Sequence, residues 1–213
     1  MPDATATASY PPPPWHTHGR AWAQPYLVDT RTFDLPSGFT PVTVAGRAVG
    51  ILGLIEYLPP SPLTYAELIW MPCLVRAAGS RGYFVDKMYV DSEPSLAAGH
   101  TEWALPKQLA RFAITGTRAT IDTEDGAHLV LDLRRRGPGV PVPISGGTLQ
   151  HAGDHVVRFR GSGRAHLHSS SIYIVEADGL GRWRGWSTAR RVPAAGVALA
   201  DFAITMHEPR TLG

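Results

Sequence analysis

Apolar residues gather along the chain in segments of strand length, at roughly 41–57, 63–75, 82–90, 109–123, 127–134, 155–168, 171–177 and 197–207. These segments are rich in Val, Ile, Leu, Tyr and Phe, the residues that fit a pleated, half-buried surface. Turn signals separate them, including Pro59-Pro60-Ser61-Pro62, Asp125-Gly126, Gly137-Pro138-Gly139 and Gly161-Ser162-Gly163. Eight short strands punctuated this often predict a β-barrel or sandwich. Asp125-Gly126 between two alternating runs predicts a tight hairpin. One stretch breaks the pattern. Asp91 to Ala104 has a cap candidate at Asp91 or Ser92, an acid and a proline in the first turn, and helix-compatible residues after them. It predicts the one convincing helix. Leu105 precedes Pro106, which disfavours the α region, so the helix should end there and Lys107 should emerge in an ordered turn leading into the strand near 109.

Composition narrows the picture. At 213 residues and 44% hydrophobic, the chain can bury one substantial core. Residues 15–213 therefore read as a single domain. The first fourteen, ending in a run of prolines, read as a disordered or polyproline arm with neither the basic start nor the apolar centre of a secretory signal. A formal charge of +2 is too small to imply a nucleic-acid or membrane partner, and no apolar run approaches the length of a membrane span. Arg134-Arg135-Arg136 reads as a solvated loop edge without the aromatic interleaving of a nucleic-acid surface. The single cysteine, Cys73, lies in an apolar run and reads as a buried, inert thiol; a cytoplasmic location follows. His166 and His168 on a strand would share a face, as would His16 and His18, but no third ligand follows at metal-site spacing. Neither a metal nor a cofactor is expected. Trp183 and Trp186 could line a pocket mouth or pack as core.

Lys107 stands out because the chain has only two lysines, Lys87 and Lys107, against eighteen arginines. A lysine amine, unlike a guanidinium, can lose its proton and attack a carbonyl. Burial would favour the free amine and a helix C-terminus the ammonium, and the local pattern alone reads as readily as a solvated turn lysine.

Met88-Tyr89-Val90-Asp91-Ser92-Glu93-Pro94, then Gly99, then Pro106-Lys107, closely resembles the acetoacetate decarboxylase family. Its members carry a Met-Tyr-x-Asp-x-Glu-Pro segment, a glycine, and seven residues later a Pro-Lys whose lysine forms a Schiff base. Tyr65-Ala66-Glu67 resembles the family's Tyr-x-Glu strand, Val192 to Arg210 its C-terminal strand, and His18-Gly19-Arg20 its N-terminal His-x-Arg. The likeness spans most of the chain except about 135–170. It implies a mainly β (α+β) fold, a mostly antiparallel, cone-shaped β-barrel with one or a few short helices around an apolar pocket, commonly in homo-oligomers. It also implies a lyase in which Lys107 attacks a small keto acid or ketone and the iminium drives decarboxylation or aldol condensation and dehydration. Glu67 would shuttle protons. Arg20 would grip a substrate carboxylate, and Gln108, His100 and Glu102 would border the substrate. By residue pattern alone, Glu67 could equally face solvent, Arg20 could sit on a mobile arm and His100 on a helix surface.

The departures are specific. Gln108 stands where decarboxylases carry a second lysine, so the neighbouring cation that favours the free amine is missing. Gly99-His100-Thr101 replaces a Gly-Arg-Glu, with Glu102 one place later, and a second family carboxylate would fall near Leu52. A different class remains open: a non-catalytic barrel that binds a small keto or apolar ligand, with Lys107 in a salt bridge.

Overall fold

The structure is a computed structural model that describes residues 9–212. Its strands are β1 (Trp15–Asp29), β2 (Thr40–Pro41), β3 (Arg47–Leu58), β4 (Tyr65–Met71), β5 (Cys73–Ala77), β6 (Ser80–Phe84), β7 (Lys87–Val90), β8 (Lys107–Thr115), β9 (Arg118–Thr123), β10 (His128–Ala152), β11 (His155–Asp178), β12 (Arg190–Arg191), β13 (Gly196–Met206) and β14 (Arg210–Leu212). The helix α1 (Glu93–Trp103) lies between β7 and β8. All fourteen strands join one sheet. Nine close into a ring in the order β1, β3, β4, β7, β8, β9, β10, β11, β13 and back to β1. The chain is thus a mainly β protein whose closed ring leaves none of these nine with two free edges.

Every ring pairing is antiparallel except β7 with β8. Parallel neighbours need a crossover connection, and α1 is that crossover. Asp125-Gly126 forms the expected hairpin between β9 and β10, with Gly126 at φ 86° where a side chain is disfavoured. The helix starts one residue later than the first cap candidate. Ser92 is the cap, its hydroxyl accepting from the Ser95 N–H at 3.3 Å, while Asp91 accepts from the Ala66 N–H on β4 at 2.8 Å.

Several boundaries differ from the sequence pattern. β1 covers a stretch in which no strand was expected, because its polar and aromatic residues (Trp15, His16, Gln24, Tyr26) hide the alternation that sheet packing then uses. The segments at 155–168 and 171–177 are one continuous strand, and Arg134–Arg136 lie within β10 rather than in a loop. Gly137-Pro138-Gly139 bends this long hairpin through a register shift between Arg136 and Val140 instead of ending it. Of the expected arm, residues 1–8 lie outside the described residues. Beyond them Tyr10 packs on the protein and its hydroxyl donates to Glu102 at 3.2 Å.

Period-two alternation gives the shared strands two buried faces. Trp22, Leu52, Leu54, Leu68, Trp70, Tyr89, Ile121 and Leu131 point into the ring and fill it. Trp183 and Trp186 pack on this cluster and are core residues, not a pocket mouth. On the opposite face of β1, β3, β4 and β7, residues such as Ile55, Tyr57, Glu67, Ile69 and Met88 meet α1 and the distal half of the β10–β11 hairpin. The pocket implied by the resemblance lies there, beside the filled ring. Cys73 is fully buried in a third cluster with Phe39, Val75 and Phe84, and burial, with Asp86 nearby, pushes its thiol up to about 12.

The C-terminus of α1 sets the approach to Lys107. The Ala104 and Leu105 N–H groups both bond to the Gly99 carbonyl, the second at 2.9 Å, with Ala104 left-handed at φ 52°. That closing turn favours glycine. Ala104→Gly is expected to stabilise the protein by about 0.5–1 kcal/mol. Thermal unfolding tests it, and a lower midpoint would contradict the strain assigned to Ala104.

Candidate active site

Lys107 is the first residue of β8, pairs with Met88 on β7, and is 2% exposed. Its side chain runs beneath α1 with no room to spare. A Cβ built on Gly99 would lie 2.4 Å from Lys107 Cδ, 2.8 Å from Cε and 2.9 Å from Cγ. Glycine at this position lets the lysine stem pass flush against the helix.

At the end of that stem, Nζ meets three acceptors. Glu67 Oε2 lies at 3.0 Å, Ser95 Oγ at 2.8 Å and the Tyr65 hydroxyl at 3.4 Å, with the Tyr65 ring centroid 5.0 Å away. An ammonium has three N–H donors, so this arrangement satisfies all of them. Glu67 is 4% exposed and also accepts from the Tyr57 hydroxyl at 3.5 Å. The Tyr57 and Tyr65 rings stack at 4.4 Å. Burial, followed for Tyr57 by the Glu67 charge and for Tyr65 by Tyr57 and then Glu67, holds both phenols well above the usual tyrosine range. They therefore stay protonated.

This cluster opens onto a cavity of about 320 Å3. Its walls are largely hydrocarbon, from Ile55, Ile69, Leu105, Phe159, Leu199 and Phe202, with hydroxyls from Thr17, Tyr57, Ser145 and Thr148. Among the described residues, Lys107 and Glu67 are the only charged ones lining it.

The structure brings Lys107 and Glu67 together and places the other sequence-derived candidates elsewhere. Gln108, one residue along β8, does not line the cavity, as alternation requires. Arg20 is half-exposed, paired with Glu56 at 2.5 Å, and lines a separate groove with Trp22 and Arg135. Plain strand alternation turns Thr17 and Ala21, not Arg20, toward the cavity. His100 is exposed, and its Nε2 lies 2.7 Å from the Lys107 backbone carbonyl. A carbonyl only accepts, so Nε2 carries the hydrogen and the ring ties α1 to β8 from outside. Glu102 is held by Tyr10. Conversely, Tyr57 and Ser95 were missed. Ser95 could have been found, since it lies four residues before Gly99 on the same helix face. Tyr57 comes from β3, whose pairing with β4 no local pattern announces.

Among the described residues, no three His, Cys, Asp or Glu side chains converge as metal ligands, and no helix is long and apolar enough to cross a membrane.

The protein thus combines a closed β-ring with a buried lysine–carboxylate pair at the wall of an apolar cavity. The sequence model of the acetoacetate decarboxylase family matches residues 1–141, and the chain belongs to that family. Its fold is similar to that of acetoacetate decarboxylase from Legionella pneumophila (16% identity, TM-score 0.62, 100% of this chain and 92% of that one). It is similar also to an acetoacetate decarboxylase-like enzyme from Sphingomonas wittichii RW1 (16%, TM-score 0.64, 99% and 98%). A third similar structure is the enduracididine biosynthesis enzyme MppR complexed with pyruvate (16%, TM-score 0.57, 98% and 93%). No curated protein sequence matches the chain.

Proposed function

We propose that the protein is a Schiff-base-forming lyase in which Lys107 attacks the carbonyl of a small keto compound. The observation that supports this most is the buried amine at the cavity wall, 3.0 Å from a carboxylate able to take its proton. Transfer of one ammonium proton to Glu67 leaves a lone pair on Nζ and a neutral carboxylic acid. Nζ then adds to the carbonyl carbon. The oxyanion so formed takes one proton from Nζ and a second from Glu67, water leaves, and a cationic iminium remains beside the regenerated carboxylate. The charges balance at each stage. The iminium draws electrons from the adjacent bond. If that bond holds a carboxylate, carbon dioxide leaves; if it holds a hydrogen, Glu67 takes the proton and the enamine can add to a second carbonyl.

Ser95 and Tyr65 supply the remaining contacts to the amine and so hold it in place. Membership of the family and the pyruvate bound in MppR add support for a carbonyl ligand. The cation next to the catalytic lysine in decarboxylases has no counterpart here, since Gln108 is uncharged and lies off the cavity. Proton transfer within the Lys107–Glu67 pair takes its place in this reading.

Deuterium incorporation tests the proposal. Acetone, pyruvate and acetoacetate are incubated with protein in D2O, and α-hydrogen exchange and carbon dioxide release are followed by NMR. Exchange or decarboxylation of at least one compound is expected, lost in Lys107→Ala and reduced by about 10²-fold or more in Glu67→Gln. Equal rates in wild type and Lys107→Ala would contradict it. Ligand binding without turnover, unchanged in that variant, would make the protein a binding barrel instead.

A further inference from the structure

We propose that the compound taken by the Lys107 site is a neutral, mainly apolar ketone or aldehyde rather than an oxo acid; this rests on the Schiff-base reading above. The first reason is charge. Among the described residues Lys107 and Glu67 are the only charged groups lining the cavity, and they already neutralise each other. Every proton moved in the reaction passes between these two groups, between Glu67 and the substrate or within the adduct, so a neutral substrate leaves the site neutral throughout. A carboxylate held among the apolar walls would add one negative charge with no counterion, in surroundings where an unpaired ion is strongly disfavoured.

The nearest arginine candidates do not supply that counterion. Arg20 is committed to Glu56 on the other side of the sheet. On β11, Phe159 and Gly161 face the cavity, whereas Arg158, Arg160 and Ser162 face a different groove shared with His207 and Arg210. Alternation along one strand keeps the two sets apart.

Hydrogen-bonding capacity gives the same answer. The Thr17 hydroxyl donates to the Ile204 carbonyl at 3.1 Å, and the Tyr57 hydroxyl donates to Glu67. Thr148 Oγ1 is buried with no hydrogen-bond partner among the described residues and exposes no surface to the cavity. That leaves the hydroxyl of Ser145, exposed at the cavity's edge, too little for an ionised carboxylate with its four acceptor positions. Size and lining agree. A volume of about 320 Å3 equals about ten waters at ~30 Å3 each, more than pyruvate fills. The walls of Ile55, Ile69, Leu105, Leu199 and Phe202 suit a hydrocarbon substituent.

A matched pair of ketones tests the inference. Levulinate and methyl isoamyl ketone share the same methyl ketone and differ in ending in a carboxylate or an isopropyl group. The protein is incubated with both at equal concentration, reduced with borohydride, and its intact mass read, with a free alkylamine giving the reference ratio. The neutral adduct is expected to exceed the levulinate adduct by at least about tenfold over that reference. A levulinate adduct equal to or larger than the neutral one would overturn the inference and leave the Schiff-base reading standing. No adduct from either compound, nor from acetone or pyruvate, would overturn both.

Discussion

Lys107→Ala is expected to lower turnover by about 10³-fold or more, to near the uncatalysed rate, because among the described residues no other amine lines the cavity to form the covalent intermediate. The same change should also weaken the fold. Glu67, 4% exposed, would keep a charge whose partner is gone, and breaking a buried pair from one side costs about 3–5 kcal/mol. Combining Lys107→Met with Glu67→Gln separates the two effects. The double variant removes both charges while keeping most of the side-chain volume. It should recover most of the lost stability and none of the activity. Denaturant unfolding beside a turnover assay reads both quantities. Recovery of activity in the double variant would show that the lysine acts only through stability.

Gly99→Ala should be the most damaging substitution outside the reacting groups. Three successive carbons of the Lys107 stem lie within 2.4 to 2.9 Å of the added methyl, so the stem has to shift as a unit. Its terminal amine would then leave the position that Glu67 and Ser95 define. Displacement of a reacting group by about 1 Å can cost about 10²-fold in rate, and a loss of that order in kcat/KM is expected. Helix propensity works in the opposite direction, since alanine is about 1 kcal/mol better than glycine inside a helix. The variant should therefore fold, with little change in its circular dichroism. Activity within a factor of about two of wild type would contradict the packing described here.

Much of this arrangement is readable from the sequence, and the rest fails for identifiable reasons. The helix over Glu93–Trp103 follows from Ser92, Glu93 and Pro94 at its start and Pro106 beyond its end, all local signals. The Asp125-Gly126 hairpin is local in the same way. The Lys107 motif is also local, and the spacing from Gly99 to Lys107 is where a sequence signature and a steric requirement coincide. What depends on strand pairing is not local. Arg20 reads as a carboxylate-binding residue from its motif, yet the pairing of β1 with β3 sets Thr17 and Ala21 toward the cavity and Arg20 opposite Glu56 on the other face. Gln108 and Glu102 are neighbours of site residues in the chain but not in space, since adjacent strand residues face opposite ways and Glu102 is held by Tyr10. Tyr57 becomes part of the site only because β3 pairs with β4 so that residues 57 and 65 stand opposite each other. The length of the β10–β11 hairpin, which covers the cavity, is hidden by glycines that read as turns.

A covalent bond between the Lys107 amine and a carbonyl compound can be sought directly, because the chain has few amines. Only one other lysine exists, Lys87, and it is paired with Asp125 at 2.8 Å away from the cavity. The protein is incubated with a trapping ketone, reduced with borohydride and digested, and the mass gain is assigned to a peptide. The account predicts the reduced adduct on the peptide containing Lys107, with Lys87 unmodified. An adduct on Lys87 or the N-terminus but not on Lys107, in folded protein, would contradict it.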